Sequence, residues 1–200
     1  LACSAVGANV FNPYSHDNPN NEIRKRNLTL YLKKMAVKKP QSILVGEAIG
    51  YQGARLSGVP LSSEYLMING VDGLDILGEE YGYQKTDEFD YPRKEPTATI
   101  VWEMIKTYNF IPLLWNAYPF HPHKPDDQWS NRTPTQGELL QGGTILKDLI
   151  GIFSIQRLIA MGNKAYDTLR GLGFQQVVKA RHPAHGGKRD FIRGIQEILS

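Results

Sequence analysis

The chain has 200 residues, 41% of them hydrophobic and 22% charged, which suits one folded domain with its own core and excludes a disordered or fibrous chain. A formal charge of +3 is mildly basic, which bears on steering toward an anionic partner rather than on fold. Cys3 is the single cysteine, which excludes an internal disulfide and any four-thiolate cluster, and fits a reducing compartment.

No apolar run approaches the roughly 20 residues that a spanning helix needs. Residues 1–10 are too short and too poor in basic residues for a secretory signal. The expectation is a soluble, cytoplasmic monomer without membrane contact, folded as one domain over residues 1–200. Residues 1–20, with the Asn- and Pro-rich FNPYSHDNPNNE stretch, read as an irregular arm.

The periodicity predicts a first helix after that arm. Leu28, Tyr31, Leu32 and Met35 fall at i, i+3, i+4 and i+7 and make one apolar face. Arg24, Lys25, Arg26, Lys33 and Lys34 are expected in solvent, and Lys38-Lys39-Pro40 marks the end. Ser42 to Val45 reads as a first strand, opening into a glycine-rich loop that carries Glu47, Tyr51 and Arg55. Glu64 to Pro96 is acidic and rich in Tyr and Gly. It is expected to form short irregular pieces and, being long for a structureless loop, is a candidate lid.

A second helix is predicted from Pro96-Thr97, with Val101, Met104, Ile105 and Tyr108 as its buried stripe. Phe110 to Asn116 is the second strand. A third helix runs from Thr135 to Phe153, with Thr135 and Glu138 in capping-box spacing. Arg157 to Met161 is the third strand, followed by a Gly162-Asn163 turn and a short helix ending near Gly171. Gln175 to Lys179 is the fourth strand. The loop ARHPAHGGK then leads to a last helix with Phe191, Ile192, Ile195, Ile198 and Leu199 inside. Strands alternating with helices predict an α/β fold: a three-layer α/β/α sandwich around a four-stranded parallel sheet.

In such a sheet the carboxyl ends of the strands point one way and share a crevice where ligands bind. Three of these ends carry unusual content: Gly46-Glu47, Asn116 with His121 and His123, and His182 with His185. Four of the five histidines therefore lie in two loops. They suit a tetrahedral metal site; the plainer alternative is that each makes a hydrogen bond in a proline-stiffened loop. Glu47, beside glycines, is suited to orient water, act as a base or stabilise a cation, or else to bind loop amides. The basic run from Arg181 to Arg193 suits a phosphate at a helix start or a solvated face. Neither a P-loop nor a dinucleotide fingerprint is present.

Taken together, these loops resemble the uracil-DNA glycosylase superfamily. GEAIGYQG at 46–53 resembles its first motif, in the G-E-A form, and GVPLSS at 58–63 resembles the segment whose aromatic residue stacks on the base. LLWNA at 113–117 is similar to the strand ending in a base-reading Asn. MGNKA at 161–165 resembles a strand-to-helix turn of that fold, and HPAHGGK at 182–188 resembles the second catalytic motif. The matches occur in order and span residues 43 to about 190.

The resemblance implies hydrolysis of the N-glycosidic bond of uracil or a related deaminated base in DNA, with no metal or other cofactor. It implies Glu47 and His182 as the catalytic pair: the carboxylate faces the water or the sugar cation, and the imidazole faces the leaving base. Asn116 would read the base edge, with Ala48, Gly50, Tyr51 and Leu61 completing the base pocket. Gly162, Asn163, His185, Gly186 and Lys188 would face DNA.

The chain departs from the superfamily's pattern in places. Ala48 stands where many members have a catalytic Asp or Asn, and Leu61 where a stacking Phe is usual. Tyr51 would then supply the aromatic face. Ala184 replaces a phosphate-contacting Ser, and His185-Gly186-Gly187 replaces the apolar wedge. Loss of the wedge points toward single-stranded or mismatched substrates. A glycosylase-fold protein that binds nucleic acid without turnover, and a histidine-metal hydrolase, are the alternatives.

Overall fold

In the computed structural model, which describes residues 1–200, the chain opens with a two-residue strand β1 (Val10–Phe11) and helix α1 (Pro19–Lys38). Strand β2 (Ser42–Ala48) follows, then two short helices, α2 (Ala54–Ser57) and α3 (Glu64–Asn69), and a single 3₁₀ turn at Glu79–Tyr81. Helix α4 (Pro96–Tyr108) leads to β3 (Leu113–Tyr118) and a short β4 (His121–Pro122). The chain ends as α5 (Gln136–Ile152), β5 (Arg157–Met161), α6 (Asn163–Gly171), β6 (Val177–Ala180) and α7 (Lys188–Leu199).

Four strands form one parallel sheet in the order β3-β2-β5-β6, covered by helices on both faces. This is the expected three-layer sandwich. The run Ile43-Leu44-Val45 is fully buried at its centre, which is why it shows no polar alternation. The chain steps from β2 to β3 on one side, then crosses to β5 and β6 on the other. The resulting switch point between β2 and β5 opens a crevice at their carboxyl ends. The free edge of β3 is partly closed by α1, where the Leu114 N–H donates to the Tyr31 hydroxyl at 2.7 Å. No helix is long and apolar enough to cross a membrane.

Several boundaries differ from the sequence reading. The arm is not wholly irregular: β1 pairs with β4, and α1 begins at Pro19. Asn18 caps it by accepting from the Asn20 N–H, and Pro at the first turn gives up no needed donor. Strand β2 runs on past Val45 through Ala48, because Gly46 and Ala48 stay in register with Asn116 and Tyr118 of β3. Glu47 therefore stands on a strand and not in the loop, and β3 runs on past Asn116 to Tyr118. Strand β3 begins at Leu113 and β6 at Val177, each later than expected.

Arg24 was expected in solvent, yet it is fully buried. It donates to Glu88 at 2.5 Å and to Asn21 Oδ1 at 2.6 Å, so the charge enters the interior already paired. The 64–96 segment is fastened down rather than hung as a lid. Glu64, fully buried, accepts from the Thr86 N–H and hydroxyl at 3.0 and 2.9 Å, and Asn27 of α1 bonds both ways with the backbone of Gln84.

Candidate active site

A cleft of about 500 Å³ lies at the switch point, lined by the ends of β2, β3 and β5 and by the loop after β6. Its floor depends on Gly46. A Cβ there would sit 2.6 Å from Asn116 Nδ2 and 3.2 Å from Leu61 Cδ2, so the missing side chain makes room for the amide. Asn116, 2% exposed, donates from Nδ2 to the Ala48 carbonyl at 3.1 Å. Its Oδ1 is buried without a partner, and such an unsatisfied acceptor costs about 1–3 kcal/mol. The neighbouring Ser62 hydroxyl, also on the cleft wall, is likewise buried and unpartnered.

Leu61 rests over this floor with its backbone in the left-handed region, at φ 48°. A branched residue holds that conformation at a cost of roughly 1–2 kcal/mol. Trp102 holds it there, donating from its indole N–H to the Leu61 carbonyl at 3.0 Å. Strain of this kind gathers at ligand sites.

Glu47 projects from β2 into the cleft, half-buried. Burial pushes its carboxyl above the ordinary range, while Lys164 of α6, 3.6 Å away, opposes the shift. Lys164 is itself held by the Thr133 hydroxyl at 2.6 Å. On the rim, His182 accepts the Ala184 N–H at Nδ1, 3.1 Å away. That bond leaves the proton on Nε2 in the neutral ring, making Nε2–H a donor. Desolvation, then the neighbouring His185, push the His182 pKa below its ordinary value, so this neutral tautomer is the resting form. Gly162 lets the ring approach: its φ is +90°, and a Cβ there would lie 3.1 Å from His182 Cβ.

Glu47, Ala48, Gly50, Leu61, Asn116, Gly162, Asn163, His182 and His185 all line this cleft. Tyr51, Gly186 and Lys188 do not. Tyr51 lies outside the cleft lining, its backbone N–H donating to Asn131 Oδ1 at 3.1 Å. Lys188 is drawn to Glu103 at 2.7 Å. Asn131, Arg132 and Lys164 were not assigned from sequence, yet all line the cleft. Lys164 had a signal, lying within MGNKA. Asn131 and Arg132 had none beyond their polar loop.

The four histidines do not assemble. His121 is fully buried, with Nδ1 3.1 Å from the Ile49 carbonyl and Nε2 3.2 Å from the Gln128 carbonyl. Its ring stacks on His123, away from His182 and His185. No three His, Cys, Asp or Glu side chains come together as a metal-ligand group, which overturns the four-histidine metal site.

Burial pushes the His121 pKa down to about 4 from 6.5. Between those values the unfolded chain binds the extra proton and the folded one does not, so stability rises with pH. The contribution is complete above pH 6.5 and is lost as the pH falls to about 4; it amounts to roughly 3 kcal/mol. Denaturant unfolding across that window should show the loss, and His121→Gln should flatten the slope. An equal slope in both proteins would show that other groups set it.

Compared with known proteins, the sequence matches no family model and no curated protein. The cleft's own chemistry is a buried unpaired acceptor on the floor, a neutral imidazole donor at the rim and a carboxylate beside a lysine.

Proposed function

We propose that this cleft hydrolyses the N-glycosidic bond of uracil or a related deaminated base in DNA. The observation that carries the reading is the meeting of Glu47, Asn116 and His182, from three separate strand ends, in one cleft. Bond breaking leaves positive charge on the sugar and negative charge on the base. A preorganised donor at the base oxygen and a carboxylate near the sugar answer those two charges. His182 Nε2–H is the donor, and being neutral it gives up no tight ion pair when the base departs. Glu47 is the carboxylate for the cation or the attacking water. The unpaired Asn116 Oδ1 accepts from the imino N–H that uracil has and cytosine lacks. A target base inside a duplex must first be extruded, at a cost of a few kcal/mol.

Oligonucleotides carrying one uracil, single- and double-stranded, test this directly. The expected result is release of free base, unaffected by chelator. Binding without release would favour a nucleic-acid binder lacking turnover, a reading that Leu61 supports by resting over the base floor. Asn116→Asp gives a sharper check. It should reduce uracil-over-cytosine discrimination on the order of a hundredfold or more, because it replaces the Nδ2 donor, whose second hydrogen suits the uracil carbonyl, with an acceptor that suits the cytosine amino group. An unaltered preference would show that Asn116 does not read the base.

A further inference from the structure

Two loops meet beside the cleft and carry its surface outward. The 89–95 segment reaches the rim at Glu95, and the 128–132 segment reaches it at Asn131 and Arg132. They touch through Phe89 and Trp129, edge to face at 5.1 Å. Along this seam aromatic rings alternate with cations. Lys94 Nζ lies 4.0 Å over the Tyr65 ring, and the Arg93 guanidinium 4.7 Å from Phe89 and 5.9 Å from Tyr91. Arg55, buried and paired with Glu88, is not one of the exposed cations but packs on Trp129 at 3.9 Å. Tyr91 is 64% exposed, Tyr65 38% and Trp129 36%. The Tyr65 N–H donates to the Arg93 carbonyl at 3.0 Å, which binds helix α3 to the strip.

We propose that this strip is a stacking platform for single-stranded DNA flanking the base held in the cleft, an extension that rests on the excision reading. Aromatic faces bind unpaired bases of any sequence, and interleaved Lys and Arg track the phosphates. A duplex keeps its bases stacked on one another and offers the rings nothing to receive. Three carboxylates lie in or beside the segment: Glu88 is occupied by Arg24 and Arg55, Glu95 by the Thr97 and Ala98 N–H groups, and Asp90 is exposed. Asp90 opposes a phosphate, so Asp90→Asn should tighten binding.

The probe is a uracil-free oligothymidylate, followed by fluorescence anisotropy and by tryptophan emission. Of the three tryptophans, Trp102 and Trp115 are 1% exposed, so Trp129 is the reporter. The single strand should bind more tightly than a duplex of equal length and quench the emission. Tyr65→Ala with Tyr91→Ala should weaken single-strand binding by about tenfold or more, while Tyr91→Phe should bind as the native chain does. Circular dichroism checks that the variants remain folded. Native-like binding by the Ala variant would overturn the proposal. So would tighter duplex binding, or equal displacement by polyglutamate, which marks a patch that recognises charge alone. Oligothymidylate binding without base release from uracil strands would leave the strip standing and remove the excision reading. Base release with no effect of Tyr65 and Tyr91 would do the reverse.

Discussion

Replacing His182 with Ala should lower base release from a uracil-containing single strand by on the order of 10²–10³, the usual cost of losing one preorganised donor at a developing anion. Affinity for the same strand should stay near its native value, because the ring is one contact among many. The protein should remain folded. His182 lies at an exposed rim, and the Ala184 N–H that it accepts finds water in its place. Single-turnover release and equilibrium binding, measured side by side, separate these effects. An unchanged rate would remove His182 from the chemistry. Lost affinity with an unchanged rate constant would make it a binding residue. The neutral ring is central to the expectation. An imidazolium would already be charged, and the Nδ1 contact to the Ala184 N–H, which requires a lone pair, would be broken.

Glu88→Gln should destabilise the fold by about 3–5 kcal/mol, the range for leaving a buried charge uncompensated. Arg24 and Arg55 are 0% and 2% exposed, and both donate to the Glu88 carboxylate, at 2.5 and 2.8 Å. One carboxylate thus answers two buried guanidinium groups. Arg55 is further enclosed by Phe11 and Trp129, 4.6 and 3.9 Å from their ring centres. Denaturant unfolding of the variant would report the loss as a lower midpoint with an unchanged slope. A change below about 1 kcal/mol would indicate that solvent reaches the pair and screens it. Replacing all three charges with apolar residues of similar volume should recover much of the stability, since the desolvation of the ions disappears with them.

The contrast between these two expectations follows what the sequence makes legible. His182, Asn116 and Glu47 were readable because each follows an apolar strand run, and parallel strand ends share one edge. The α5 capping box was equally local: Thr135 and Glu138 bond each other's backbone as their spacing implies. Glu88 was not readable. Its partners lie 64 and 33 residues away, and no periodicity joins a loop carboxylate to a helix face. The pairing of Lys188 was hidden for the same reason, since Glu103 is 85 residues distant. The end of β2 falls later than the sequence indicates because Gly46, Glu47 and Ala48 are poor strand formers taken singly. Register with a neighbouring strand, which no local window contains, carries the ladder through them. His121 was grouped with the other histidines on composition, but its nitrogens face backbone carbonyls that only the folded chain brings close.

The placement of Asn116 within β3, paired in register with Gly46, has a consequence for how the site moves. A strand buried on both faces and held in register opens with the core around it, whereas a surface loop can open alone. On the proposed reading, the base-selecting Asn116, 2% exposed, moves with the core, and His182, on the exposed loop after β6, moves with a local segment. On that reading, a ligand that orders that loop would alter how often the leaving-group donor is in place and leave the choice of base untouched. Rate and selectivity would then rest on parts of the fold with separate clocks.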